Sequence, residues 1–217
     1  MKAVIFDMDG TILDTLEDLR NSVNHALSMY GMPERSSKDI RSFLGNGMVK
    51  LIHRAVPEGT DAEKEAAVLA AHKAYYPQHC AEQTRPYPGI CGLLEELRER
   101  GIKTAVVSNK SDENVKKLVK EYFDGLFNVA VGARDDVPRK PSPELVQIAL
   151  AELGAVKEDA VYIGDSDVDV ETAKRSGLHM ITVLWGFRDR EQLIEAGADV
   201  FAEDIGELRN CLYGEKE

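Results

Sequence analysis

The chain has 217 residues, is 43% hydrophobic and carries a formal net charge of -11. That length holds one ordinary core, or a core with a small second domain, and the apolar fraction suits a packed protein rather than a disordered one. The charge excludes nucleic acid and an anionic membrane as expected partners, since both need a basic face, and it means that local cations must hold any anionic substrate.

Directly after Met1 comes Lys2-Ala3-Val4-Ile5-Phe6, an apolar run that stops abruptly at Asp7-Met8-Asp9-Gly10-Thr11. Such a run reads as a central parallel strand, its C-terminal end opening on the crevice where open α/β sheets place their ligands. Residues two apart point to the same side, so Asp7 and Asp9 can face one substrate and one metal together. Taken alone, the pair reads equally well as a solvated strand end with two turn-forming aspartates.

From Thr15 to Arg85 no strand pattern occurs, only helical segments at Leu16 to Met29, Met48 to Val56 and Ala62 to Tyr76. This block is an insertion, and Pro86-Tyr87-Pro88-Gly89 marks the return from it as a stiff linker. Helices and strands then alternate, which predicts a doubly wound, Rossmann-like parallel α/β sheet. Ile90, Leu93, Leu94 and Leu97 share one helical stripe, and Val115, Leu118, Val119 and Tyr122 another; both are core. Strands are expected at Lys103 to Val107, Asn128 to Val131, Ala160 to Ile163 and Met180 to Leu184. A helix should start with Ser142 as N-cap and Pro143 at its first position. The expected division is a core of residues 1–14 and 86–217 around an all-helical domain of residues 15–85.

Three polar stations follow the later strand-like runs: Ser108-Asn109, then Lys140 in Arg139-Lys140-Pro141-Ser142-Pro143, then Gly164-Asp165-Ser166-Asp167-Val168-Asp169. Separately, Ser108 reads as a strand-end cap, Lys140 as a solvated lysine and the acid cluster as a helix N-terminus favoured by the macrodipole. In this order, together with Asp7 and Asp9, they resemble the four motifs of the haloacid dehalogenase superfamily of phosphotransferases. The resemblance implies a phosphatase with Asp7 as nucleophile, forming an aspartyl-phosphate, and Asp9 as general acid and base. It implies Mg²⁺ held by Asp7, the Asp9 backbone carbonyl and Asp165, with Asp169 orienting from behind and Asp167 an exposed turn acid. Ser108, Asn109 and Lys140 would bind the phosphoryl oxygens. An acid at position 9 disfavours dehalogenation, because the dehalogenating branch lacks one there.

The helical insert resembles the superfamily's mobile cap. Within it, Leu44 to Ile52 looks like the glycine-rich cap turn of phosphoglycolate phosphatases, and Thr182 to Arg188 resembles their late strand and loop. Gly45, Asn46 and Gly47 are therefore the candidates for specificity, with backbone amides offered to a small anion, although an ordinary glycine turn fits the same residues. The expected substrate is a small phosphorylated metabolite of phosphoglycolate type. The alternatives are a pyrophosphatase, a sugar-phosphate phosphatase or a β-phosphoglucomutase-like enzyme, and, from another class, a phospho-accepting signalling module.

Cys80, Cys91 and Cys211 are widely spaced and suggest neither a disulfide framework nor a thiolate metal site. No apolar stretch approaches the ~20 residues of a membrane span, so the expected location is the cytoplasm. His25, His53, His72, His79 and His179 share no metal-binding spacing and read as surface or half-buried. Trp185 reads as packing.

Overall fold

Ala3–Phe6 forms β1 and is wholly buried. Its side chains alternate between the two sides of a sheet: Val4 and Phe6 enter one apolar cluster, Ala3 and Ile5 another. Burial on both faces explains why the run is continuously apolar rather than alternating. The structure is a computed structural model that describes residues 1–214.

β1 lies inside a six-stranded sheet. Leu13–Asp14 (β2) and Arg85–Pro86 (β3) pair antiparallel with each other, apart from it. The sheet itself adds Lys103–Ser111 (β4), Val129–Ala133 (β5), Ala160–Gly164 (β6), His179–Val183 (β7) and Phe201–Ala202 (β8). Its order is β5-β4-β1-β6-β7-β8, with every pairing parallel. The chain first builds outward from β1 through β4 to β5, then returns to the other side of β1 with β6. The C-terminal ends of β1, β4 and β6 thus meet where the winding reverses, the place such sheets keep for ligands.

Between β2 and β3 lie Leu16–Ser28 (α1), Ser37–Phe43 (α2), Met48–Ala55 (α3) and Ala62–His79 (α4). Asp18 ties this helical block to its exit, its buried carboxylate accepting from the amides of Gln83 and Thr84 at 2.9–3.0 Å. The remaining helices are Ile90–Glu99 (α5), Asp112–Phe123 (α6), Glu144–Leu153 (α7), Asp167–Ser176 (α8), Arg190–Ala196 (α9) and Ile205–Tyr213 (α10). Among the described residues, no helix is long and apolar enough to cross a membrane.

Four local expectations need correction. β4 runs on past Val107 to Ser111, because the polar residues at its end are buried like the apolar ones before them. α2 has a single buried residue, Ile40, and therefore carries no apolar stripe to detect. α7 starts one residue later than predicted, with Pro143 as its N-cap. β8 has two residues, below the length at which alternation can be read.

Candidate active site

Asp7 follows β1 directly, so the strand gripped by both apolar clusters also fixes a carboxylate at the edge of the sheet. Asp7 Oδ1 accepts from Lys140 Nζ at 2.7 Å. The same ammonium donates to Asp169 Oδ1 at 2.8 Å and to the Tyr162 hydroxyl at 2.9 Å, and Tyr162 donates in turn to Asp169 Oδ1. Lys140 is thereby held on three sides. Asp169 occupies the third position of α8, where a capping box joins its Oδ2 to the amide and hydroxyl of Ser166.

Asp165 follows β6, accepting from Thr11 Oγ1 at 2.9 Å and from the Phe187 amide at 2.7 Å. A Cβ on Gly10, whose φ is +88°, would overlap Asp165 Oδ2, so the turn after β1 admits this carboxylate only with glycine there. One oxygen from each of Asp7, Asp165 and Asp169 lies within 4.8 Å of the others. Among the described residues Lys140 is the one cation paired with this group, which leaves surplus negative charge in a buried place. Burial pushes the Asp7 carboxyl well above the carboxylate range, Lys140 opposing and the neighbouring acids adding to the rise. Burial and then Asp169 push Asp165 up to about 7. For Lys140 burial acts against the charge, yet Asp169 and Asp7 hold its ammonium well above the usual lysine range. Hard oxygen donors with uncompensated negative charge fit a divalent cation.

Asp9 points elsewhere. Its Oδ1 accepts from Thr15 Oγ1 at 2.8 Å and pairs with Lys110 Nζ at 3.1 Å. Lys110 stands on β4 two residues after Ser108 and donates to the hydroxyl of Tyr76, from α4, at 2.6 Å. Burial works against the Lys110 charge too, but Asp9 and Tyr76 raise its ammonium above the usual range. Asp7, Asp9, Ser108, Lys140 and Asp165 all line one cavity, with about 60 Å³ open to the centre of a water-sized sphere. Leu19 and Leu51 give it apolar walls from the helical block.

The profile of the haloacid dehalogenase-like hydrolases matches residues 4–183 of the chain. The chain belongs to that family. It is a phosphatase, a phosphoric monoester hydrolase of the haloacid dehalogenase type. Among its relatives is the phosphoglycolate phosphatase of Aquifex aeolicus (strain VF5), 34% identical over 188 residues, which are 86% of each chain. A crystal structure from Lactobacillus delbrueckii subsp. bulgaricus, provisionally described as a phosphoglycolate phosphatase, is 37% identical and superposes with a TM-score of 0.94 over 99% of both chains. CbbY from Rhodobacter sphaeroides, solved as a variant in complex with xylulose-(1,5)bisphosphate, is 27% identical, with a TM-score of 0.76 over 96% of both chains.

In this haloacid dehalogenase-like fold, the predicted site residues are distributed unevenly around the cavity. Gly45 and Gly47 reach it, at φ +105° and +82°. Asn46 instead accepts from Arg54 at its own surface. Asn109 lines the cavity but spends both amide hydrogens on backbone carbonyls, of Gly45 at 3.0 Å and Lys140 at 2.9 Å, so its side chain is a strut between the helical block and the lysine loop. Asp167 is exposed and pairs with Arg188, as a turn acid would. Trp185 donates to the Thr11 carbonyl at 3.0 Å.

Several residues of the cavity are not among the site residues expected from the sequence. Lys110 could have been found by period-two reading from Ser108 along β4. Tyr162 could not, because a tyrosine inside an apolar strand looks like packing. His72, expected near the surface, is fully buried in the cavity wall, where burial pulls its imidazole down to about 4. Arg188 also reaches the cavity, clamping the carbonyl of Leu44 at 2.7 Å.

Proposed function

We propose that the protein is a Mg²⁺-dependent phosphatase that hydrolyses small phosphorylated metabolites of phosphoglycolate type through an aspartyl-phosphate on Asp7. The observation that carries this reading is the buried Asp7 carboxylate, held at 2.7 Å by Lys140 in a cavity it shares with Asp9, Ser108 and Asp165. With Lys140 and the bound cation opposing the rise that burial causes, Asp7 would be ionised, and an ionised carboxylate needs no base to act as nucleophile. Asp7 attacks phosphorus, the ester P–O bond breaks and the departing oxygen takes a proton from Asp9. Water then attacks the aspartyl-phosphate, yields its proton to Asp9 and releases inorganic phosphate with Asp7 restored. Lys140 and Ser108 hold the phosphoryl oxygens throughout, donors placed where charge develops.

Asp7, the Asp9 carbonyl and Asp165 would hold the cation, with Asp169 behind them keeping Lys140 in place. When bound, Mg²⁺ supplies charge neutralisation at the phosphoryl group. The core is residues 1–14 and 86–217, and residues 15–85 form a cap that closes the cavity through Gly45 and Gly47. The phosphoglycolate relatives and the small cavity support a short substrate. The bisphosphate bound by CbbY keeps a sugar phosphate as the second reading.

Replacing Asp7 tests the core of this reading. Asp7→Asn should keep the wild-type circular dichroism spectrum while losing turnover and any acid-stable labelling by substrate phosphate. Retained turnover in the folded variant would overturn the nucleophile assignment.

A further inference from the structure

The cavity wall on the helical side has polar valences that the protein leaves open. His72 is fully buried and lines the cavity; its Nδ1 meets Ser22 Oγ at 2.8 Å, while its Nε2 has no partner among the described residues. A buried polar atom without a partner costs stability unless something fills it. The ring of Tyr76 stacks on His72 with centroids 5.4 Å apart, and Lys110 Nζ lies 4.6 Å from the centroid of that tyrosine. Lys110 meets Asp9 and the Tyr76 hydroxyl, and an ammonium has three protons. Tyr76 thus has beside it both a buried cation with a proton to spare and an imidazole nitrogen with none of its bonds made. Lys140 and Ser108 serve the phosphoryl end, and Lys110 adjoins it through its pair with Asp9.

We propose that Lys110 and His72 form a subsite for a carboxylate at the non-phosphate end of a short substrate, and so determine specificity. This rests on the phosphatase reading above and names what that site selects. A carboxylate brings two acceptor oxygens, matching one proton from Lys110 and one from the Nε2–H tautomer of His72. It also brings the negative charge that a buried ammonium favours over a neutral acceptor. Leu19 and Leu51 line the same cavity, apolar walls that suit a short hydrocarbon link between the two ends.

The test compares kcat/KM for 2-phosphoglycolate and for ethyl phosphate, which has a methyl group where the first has its carboxylate. Wild type should prefer the carboxylate ester by about 10²-fold or more, and Lys110→Met and His72→Phe should each cut that preference by about tenfold to a hundredfold, the worth of a hydrogen bond to a charged group. Because Lys110 also touches Asp9, the preference and not the absolute rate is the readout. Turnover of ethyl phosphate by each variant shows that it has folded. Lys110→Arg keeps the charge and should retain more of the preference than Lys110→Met. An unchanged preference in both turnover-competent variants overturns the subsite and leaves the phosphatase reading standing. Wild-type turnover of aryl phosphates but of neither short ester overturns the short-substrate reading, and the subsite with it.

Discussion

Asp7 and Asp9 are two residues apart, yet their surroundings differ. Asp7 meets Lys140 at 2.7 Å and shares its place with two further carboxylates. Asp9 meets Thr15 and Lys110 instead. A group beside the leaving oxygen matters most when that oxygen leaves poorly, and proton transfer of this kind is worth about 10²- to 10⁴-fold. Asp9→Asn should therefore slow alkyl phosphates by roughly that factor and slow nitrophenyl phosphate far less, because nitrophenolate departs without a proton. Steady-state kinetics on both substrate types checks this, and equal losses would remove the acid role from Asp9.

At the scale of elements, the site depends on how α8 begins. Ser166 caps the helix and, through the same pair of bonds, fixes the Asp169 carboxylate that braces Lys140. Ser166→Ala should cost about 0.5–2 kcal/mol, as lost N-caps do, read as a lower urea midpoint at unchanged m-value. It should also lower kcat, since Asp169 would then hold Lys140 less firmly. A loss of stability with no change in kcat would mean that the brace has no part in turnover. The turn before α3 is constrained in another way. Gly47 lies at φ +82°, and a Cβ there would press on the Arg139 guanidinium at 2.9 Å. A side chain at Gly47 thus strains the backbone before it meets any substrate, which makes this turn a poor place to probe specificity.

At the scale of the whole molecule, the carboxylate cluster links metal, pH and stability. Asp165 is pushed up to about 7 from an ordinary 3.8, so between those values the folded state binds more protons than the unfolded one. By linkage, the contribution of Asp165 to the stability of the metal-free protein falls as pH rises through that window, while that of His72, whose imidazole is held down at about 4, rises. A divalent cation bound to the ionised cluster should reverse the trend by mass action. Thermal unfolding in chelator should show a Tm that falls less from pH 5 to pH 7 in Asp165→Asn than in the wild type, a comparison in which the opposite contribution of His72, held down at about 4, cancels; Mg²⁺ should raise the wild-type Tm most at the upper end. Activity should vanish in chelator and return with Mg²⁺, while Ca²⁺, with its looser coordination, should restore the Tm but not the turnover. Full activity in chelator would refute the metal-dependent mechanism.

The sequence by itself determined the parallel sheet, the helical insertion and the stations at Asp7, Ser108, Lys140 and Asp165, because strand ends in such sheets are marked by an abrupt change from apolar to polar residues. A change of that kind is local, and local patterns survive in one dimension. Only the tertiary structure decided which polar groups meet. Lys110 pairs with Asp9 across 101 positions of sequence because β1 and β4 are neighbours in the sheet, and with Tyr76, which α4 contributes from the helical block. The role of Asn109 as a strut and the burial of His72 were likewise hidden, since each depends on what the helical block places opposite it. Charge balance follows the same division: the acids are visible in the chain, but which carboxylate shares a cation is settled by distances that only the packed fold creates.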